Sequence, residues 1–333
     1  MKKILLAIAI TTLFTTTAQT AIIYDKNGVT VDIYGDVEVQ FFKSKIKDTN
    51  AKNSDGSYKD DQNGENQNVI RIDDADFGFK LAYDIGNGLK VIGKVEFSGE
   101  KGTATLGDTF VGVKSDDWGT LTVGKQATIY DDAGIGGDYE FGATSFYEQD
   151  KKSGHQVIKY KFDKNMFYGG VAYLFNSTEN VNNSESAVDA KFGVRVVDFD
   201  FTAFIGQAQV ARNPDDVQSK TDSVLNYTLE ARYQLGDLGL AITYAGTDAT
   251  DKPSVDKKGS CYGTTAIYKI DKITFGGGIF SIDNAATSNK SQTDYYLNVA
   301  YAFSPTVKVF TELGGSSKDN TELGYVAGLQ IKF

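Results

Sequence analysis

The chain has very few of the residues on which disulfide-bonded, zinc-binding and histidine-dependent proteins rely. Its 333 residues contain one cysteine, one histidine, one tryptophan and three prolines. A single cysteine, Cys261, excludes an intramolecular disulfide framework. A single histidine, His155, excludes zinc sites built from several histidines and cysteines, and it is the only imidazole base for a serine–histidine–acid arrangement. We therefore expect no enzyme, no metal and no cofactor.

Basic charge and long apolar runs are also scarce. Lys and Arg total 34 against 44 Asp and Glu, which gives a formal net charge of −10. Nucleic-acid binding needs a basic footprint, so this class of partner is excluded. Beyond the first twenty residues, no segment approaches the roughly 20 apolar residues of a membrane-spanning helix.

The amino-terminal segment has the composition of an export signal. Lys2 and Lys3 precede an apolar run over residues 4–14, and small residues precede Ala21. This pattern predicts a secretory signal peptide over residues 1–20, with cleavage after Thr20 or Ala18, and a single domain over residues 21–333. The alternative is a buried helix at the amino terminus.

Alternating strands are the abundant feature. In the final "ELGYVAGLQIKF", Tyr325, Leu329, Ile331 and Phe333 share one apolar face, with a period of two. Comparable alternation predicts sixteen strands, near residues 29–43, 69–83, 88–99, 104–114, 119–126, 155–162, 166–176, 187–197, 199–208, 223–235, 238–247, 260–270, 273–282, 292–303, 306–315 and 321–333.

The connections between these strands alternate in length. Tight turns such as "IGNG" and "LGDLG" alternate with long polar segments such as "NSTENVNNSES". This alternation predicts an all-β, transmembrane antiparallel barrel of sixteen strands with short periplasmic turns and long extracellular loops. A soluble sandwich, the alternative, would show no such bias and would bury its apolar faces against each other.

The charged side chains indicate which face of the barrel meets lipid. In "YTLEARYQL", Tyr227, Leu229 and Leu235 alternate with Glu230 and Arg232. A charge facing lipid at mid-depth costs about 2–4 kcal/mol, so the charged faces must point inward, onto water. The predicted molecule is a water-filled channel whose last strand pairs with its first, leaving no open edge in lipid. Aromatic residues at the periplasmic interface would form a girdle: Tyr83, Trp118, Phe162, Phe201, Tyr233, Phe303 and Phe333.

Several segments resemble the general trimeric porins of Gram-negative outer membranes. "AIIYDKNGVTVDIYGDVEV" is similar to the family's opening strand, and "FGFK" and "DDWGTLTVGKQ" resemble two further strand segments. "YEFGA" from Tyr139 resembles a motif of the family's inwardly folded third loop, and the closing Phe333 matches its carboxyl-terminal strand. The likeness spans the chain and is most specific at its two ends.

The resemblance implies a homotrimer that allows passive diffusion of small hydrophilic solutes and ions across the outer membrane. It implies contact with outer-membrane lipid and lipopolysaccharide. It also implies recognition by the outer-membrane assembly machinery, through the closing strand with Tyr325, Leu329, Ile331 and Phe333. The third loop, about residues 127–149, would fold into the lumen and narrow it. Its acidic residues are expected at the constriction: Asp131, Asp132, Asp138 and Glu140.

The wall departs from the family, because Asp36 and Asp76 stand where the family has bases. We expect acidic wall residues at Asp36, Glu38, Asp74 and Asp76, and basic ones at Arg71, Lys80, Lys94, Lys159 and Lys161. The net negative balance predicts a moderate preference for cations. The alternative is that Lys80, Lys94, Lys159 and Lys161 lie opposite Glu140 and balance the constriction.

Two further functions remain open. A sugar-selective porin would need a lumenal track of aromatic rings, and the inward register offers only Tyr34, Phe204, Tyr296 and Phe310. A structural or adhesive barrel would act through its long acidic first loop instead.

Overall fold

The computed structural model describes residues 21–45, 68–99, 103–137, 139–142, 151–176, 185–211, 221–250, 257–284, 291–318 and 321–333. It contains a short 3-10 helix, Tyr130–Asp132. The strands, in chain order, are β1 Ala21–Lys26, β2 Val29–Lys43, β3 Val69–Gly86, β4 Leu89–Ser98, β5 Thr105–Ser115, β6 Gly119–Ala127, β7 Ser153–Lys164, β8 Phe167–Asn176, β9 Ser186–Val196, β10 Phe199–Ala211, β11 Thr221–Leu235, β12 Leu238–Thr250, β13 Lys257–Ile270, β14 Ile273–Asn284, β15 Ser291–Ser304, β16 Val307–Ser316 and β17 Gly324–Lys332.

The strands form one closed antiparallel barrel. Each strand from β2 to β17 pairs with its neighbour in sequence, and β17 returns to pair with β2, from Tyr325 opposite Lys43 to Lys332 opposite Asp36. The predicted closure of the last strand on the first is therefore confirmed, as are the sixteen predicted strands. Closure satisfies the backbone groups that an open edge would leave unpaired in lipid.

Strand β1 is an addition that the sequence pattern did not reveal. It forms a hairpin with the start of β2, with Ala21 opposite Ile33 and Lys26 opposite Val29. Asn27 and Gly28 make the two-residue turn with φ values of 56° and 78°, the left-handed conformation that such a turn requires. β1 pairs with the start of β2, and β17 pairs with its later part. β1 and β17 therefore lie end to end along β2. The 17 strands thus occupy sixteen positions in the wall.

The chain ends where β17 meets β1. Two backbone hydrogen bonds, of 2.9 and 3.0 Å, join Gly35 to Phe333 in both directions. The Phe333 ring covers Gly35, where an added Cβ would lie 2.3 Å from the ring. Only glycine leaves room for this aromatic end.

The two faces of the wall have opposite character. Large apolar side chains are exposed on the outside, including Val111, Ile242 and Leu297, which are 65%, 60% and 68% exposed. On the inside, Thr228, Glu230 and Gln330 are buried. This inverted arrangement confirms that the charged faces point inward. No helix among the described residues is long and apolar enough to cross a membrane.

A β-bulge in β3 changes which residues face the lumen. The register between β2 and β3 shifts so that Glu38 lies opposite Asp74 and Val39 opposite Ile72, leaving Asp73 as an extra residue. Strict alternation would place Arg71 and Asp74 on opposite faces of the wall. The bulge brings both side chains to the inner face.

Candidate functional site

The segment after β6 folds into the barrel and lies along its inner wall. We call its described residues, 128–137 and 139–142, the constriction loop. Three buried wall carboxylates, Asp189 on β9, Glu230 on β11 and Glu312 on β16, accept hydrogen bonds from backbone N–H groups of this loop. The loop therefore follows the wall across half of its strands.

The first anchor lies just after the loop leaves β6. The backbone N–H of Ile129 donates to Asp189 at 2.9 Å, and the Tyr130 hydroxyl lies 2.8 Å from the Thr228 hydroxyl. The Tyr130 ring packs edge-on against Phe204, with centroids 6.0 Å apart. Burial of Tyr130 raises its pKa to about 12.

The second anchor holds the glycine-rich middle of the loop. The N–H of Gly134 donates to Glu230 at 2.5 Å, and Arg232 donates to the Gly134 carbonyl at 2.8 Å. The Tyr296 hydroxyl donates to the carbonyl of Gly136 at 2.9 Å. Because these contacts use the backbone, they hold the loop at positions that have no side chain to bind.

The third anchor is a socket for Phe141. Its N–H donates to Glu312 at 2.6 Å, and its ring stacks on Phe42 with centroids 6.0 Å apart. A Cβ added to Gly314 would lie 2.2 Å from the Cβ of Phe141, and one added to Gly324 would lie 2.7 Å from its ring. These two wall glycines create the space that the phenylalanine fills.

The alternation of charged and apolar residues predicts that Glu230 faces the lumen, but it gives no role to Asp189, Glu230 or Glu312. One signal was available, because Glu312 and Gly314 are two residues apart and so share the inner face of one strand. For Asp189 and Glu230 no local pattern distinguishes an anchor from a hydrated lumenal acid.

The acids of the constriction loop are paired with bases on the wall. Asp131 lies 3.3 Å from Lys152, and Asp132 lies 3.2 Å from Lys161 and also contacts Lys191. Burial alone would raise the pKa of Asp132, but the two ammonium groups outweigh it and hold this pKa below its ordinary value. Asp138 lies outside the described residues.

Glu140, at the other end of the loop, pairs with Arg71 at 2.8 Å. The guanidinium of Arg71 also lies over the Phe42 ring, 3.7 Å from its centroid. The alternative that Lys80, Lys94, Lys159 and Lys161 lie opposite Glu140 and balance the constriction stays a prediction. Lys161 binds Asp132, and Lys159 donates to the Ala127 carbonyl at 2.6 Å.

The wall of β2 and β3 presents an acidic strip. Asp36 lies opposite Asp76 and Glu38 opposite Asp74. Asp36 contacts Lys332 at 3.1 Å, and Asp76 accepts a hydrogen bond from Ser98. Among the described residues, no cluster of three or more His, Cys, Asp or Glu side chains is placed to hold a metal ion.

The bases on β3 and β4 surround a buried tyrosine. Lys94 bridges Glu96 at 2.9 Å and Asp108 at 3.0 Å. The Tyr34 hydroxyl donates to Glu96 at 2.7 Å, and the Lys80 ammonium lies 4.5 Å from the Tyr34 ring centroid. Lys80 makes no ion pair within the described part of the chain, and it lies opposite Asp32 on β2.

A profile of the Gram-negative porins matches residues 5–321. The chain belongs to this family. It is 32% identical to "Porin-like protein H" of Photobacterium profundum, over 100% of both chains.

Solved porin structures share the fold. The trimer form of OmpT, an outer-membrane protein of Vibrio cholerae, superposes with a TM-score of 0.71 at 19% identity, over 92% of this chain and 100% of that one. A "Monosaccharide porin" of Halomonas sp is 34% identical over 140 residues, which are 40% of this chain and 35% of that protein.

The lumenal aromatic residues of this porin are largely covered. Tyr34, Phe204 and Tyr296 are buried and Phe310 is half-buried, so their predicted inward direction is confirmed. Phe204 packs against Tyr130 of the constriction loop, and Tyr296 packs against Tyr139 with centroids 5.2 Å apart. Phe204 and Tyr296 thus pack against the constriction loop. The four lumenal aromatic residues form no continuous open track in the described part of the chain.

The closing strand presents its apolar residues to the outside of the porin. Leu329, Ile331 and Phe333 are 44%, 44% and 42% exposed, while Tyr325 is half-buried beside Phe41. Of the predicted girdle residues, Tyr83, Trp118, Phe201 and Phe303 are likewise exposed. The recognition of this strand by the assembly machinery stays a prediction.

Proposed function

We propose that this protein is an outer-membrane diffusion channel for small hydrophilic solutes and ions. The proposal rests on the position of the constriction loop. The loop is anchored along one side of the inner wall, and the charged strands β2 to β5 face it from the other side. Such a lumen selects by size and by fixed charge. We infer a channel and not an enzyme, because the relatives are named as porins.

We further propose a moderate preference for cations. On strands β2 to β4, the inward acids outnumber the bases: Asp32, Asp36, Glu38, Asp74, Asp76 and Glu96 against Arg71, Lys80 and Lys94. Low-dielectric walls focus the field of such a strip and raise the local concentration of cations. Salt screens the field over about 10 Å at 0.1 M, so the preference should fall as the salt concentration rises.

Reversal potentials in planar bilayers test this proposal. Under a KCl gradient, the wild-type channel should favour potassium at low salt and lose much of that preference at high salt. The double variant Asp36→Asn with Asp76→Asn should favour potassium less. A reversal potential that favours chloride in the wild type would contradict the cation preference, and an absence of conductance would contradict the channel itself.

We also propose a homotrimer whose mature chain, residues 21–333, follows removal of a signal peptide over residues 1–20. The trimer form of the Vibrio cholerae OmpT, which shares the fold, supports the oligomer. In the membrane the protein would contact lipid and lipopolysaccharide, and its insertion would depend on the assembly machinery. Extraction in mild detergent should give a heat-sensitive trimer, and a monomer under the gentlest conditions would contradict it.

A sugar-selective channel is the second candidate. The partial likeness to the Halomonas monosaccharide porin favours it. The coverage of Phe204 and Tyr296 by the constriction loop counts against it, because sugar rings would need those faces open. Liposome swelling with sugars of graded size separates the two candidates. A saturable preference for one sugar supports the specific channel, and a simple size cutoff supports the general one.

A further inference from the structure

A second polar site lies in the lumen on the side of the short turns. A cavity of about 390 Å³ opens between strands β5 and β9, below the first part of the constriction loop. Its charged lining comprises four bases, Lys114, Lys161, Lys191 and Arg195, and two acids, Asp116 and Asp163. None of the roles described above for the constriction uses the space enclosed by these side chains.

The cavity carries more ammonium groups than its nearest loop carboxylate can neutralise. Lys161 and Lys191 both contact the same oxygen, Oδ2, of Asp132. Lys114, on the opposite side of the cavity, makes no ion pair within the described residues. Burial would raise the pKa of Asp132, but Lys161 and Lys191 together hold this pKa below its ordinary value.

The remaining base of the cavity is neutralised and forms part of its wall. Arg195 donates to both carboxylate oxygens of Asp163 at 3.0 Å and lies over the Tyr168 ring, 4.0 Å from its centroid. Tyr168 is buried, and its hydroxyl donates to Asp200 at 2.5 Å. These contacts hold the floor of the cavity rigid, while Lys114 and Lys161 keep exposed side chains above it.

We propose that this cavity binds an oxyanion, a phosphate or carboxylate group carried by a permeating solute, through the ammonium groups of Lys114, Lys161 and Lys191. The inference rests on the proposed channel function. Charge-assisted hydrogen bonds from ammonium to oxyanion are the strong class of such bonds. Asp132 competes for two of the three bases, which keeps the affinity low enough for the solute to leave, as conduction requires.

The test measures the effect of inorganic phosphate on single-channel chloride and potassium current in planar bilayers at constant ionic strength. Phosphate should reduce the wild-type current in a saturable manner. The double variant Lys161→Gln with Lys191→Gln should raise the half-effective phosphate concentration about three- to tenfold, since charged hydrogen bonds at a partly hydrated site are lost. The matched control is Lys308→Gln, which removes one lumenal lysine from β16, outside the cavity, and should leave the phosphate effect unchanged.

A variant that is expected to shift the half-effective phosphate concentration in the opposite direction separates binding from a structural effect. Asp132→Asn frees two ammonium groups, so it should lower the half-effective phosphate concentration. Succinate in place of phosphate shows which oxyanion the cavity prefers. A wild-type current that does not respond to either anion, or an equal response in the lysine double variant, would overturn the proposal. Conductance in KCl alone reports the channel function separately, and heat-sensitive trimer bands report the folding of each variant.

Discussion

The carboxylate of Glu312 accepts a hydrogen bond of 2.6 Å from the backbone N–H of Phe141, although 171 positions separate the two residues in the chain. The same type of contact recurs at Asp189 with Ile129 and at Glu230 with Gly134. In all three, a wall side chain binds the loop through its backbone. The side chains of the loop are thus left to pack against the wall or to face the solute.

Removing the Glu312 acceptor should loosen the carboxyl end of the constriction loop. Glu312→Ala leaves the buried N–H of Phe141 without its partner, at a cost of about 1–3 kcal/mol. We expect larger fluctuations of the single-channel current in planar bilayers. Glu312→Gln keeps an acceptor oxygen and serves as the control. Equal noise in the two variants would mean that this hydrogen bond does not hold the loop.

The socket of Phe141 can be disrupted from either side. Phe141→Ala removes a buried ring, a change that typically costs about 3–5 kcal/mol, and Gly314→Ala places a methyl group in the space of the ring. Both variants should raise the protease sensitivity of the loop and broaden its conductance distribution. Gly93→Ala is the control, because an added Cβ there meets its nearest atom at 3.6 Å. A wild-type digestion pattern for both socket variants would count against the anchor.

The pair formed by Arg71 and Glu140 should control ion preference in two directions. Arg71→Gln leaves Glu140 without its guanidinium and should increase the preference for potassium. Glu140→Gln leaves Arg71 paired with Asp73 alone, at 2.8 Å, and should decrease it. Reversal potentials at low salt measure both shifts. Shifts of the same sign in the two variants would show that the pair does not face the ion path.

Phe333 joins the end of the chain to Gly35 and should be needed for assembly. Phe333→Asp places a carboxylate over Gly35 and in the aromatic interface, so the amount of folded protein in the outer membrane should fall several-fold. Phe333→Trp keeps an aromatic ring at the interface and is the control. Quantitative gels of unheated and heated membranes give the folded fraction, and wild-type levels of Phe333→Asp would contradict the role.

The amino end of the constriction loop should remain attached in mild acid. The folded-state pKa of Asp132 is depressed below its ordinary value, about 3.9, by Lys161 and Lys191. The stabilisation from this contact is therefore complete above the ordinary pKa and is lost as the pH falls through the lowered one. We expect an acid-induced change in channel conductance only below about pH 3.9. Asp132→Asn should lack that step, and an identical acid response in this variant would assign the change to another group.

Much of the architecture follows from local patterns. The period of two predicted sixteen strands, and the alternation of turn length predicted which strand ends carry the short turns. The cost of charge in lipid predicted that Glu230 and Arg232 point inward. These signals are readable because each strand of a barrel has one face toward lipid and one toward water. The alternation did not predict strand β1, because no single apolar face marks it. All six of its residues are exposed.

The site was decided by contacts between residues far apart in the chain. Sequence alone proposed acids on the loop and bases on the wall, Arg71 among them, but it could not pair Glu140 with Arg71, because that contact joins the loop to a distant strand. Nor could it show that Glu312, Gly314 and Gly324 form the socket of Phe141, or that Lys161 and Lys191 share one oxygen of Asp132. Alternation determines which side of the wall a residue faces, whereas its neighbour across the lumen depends on strand register and on the path of the loop, which form only when the barrel closes.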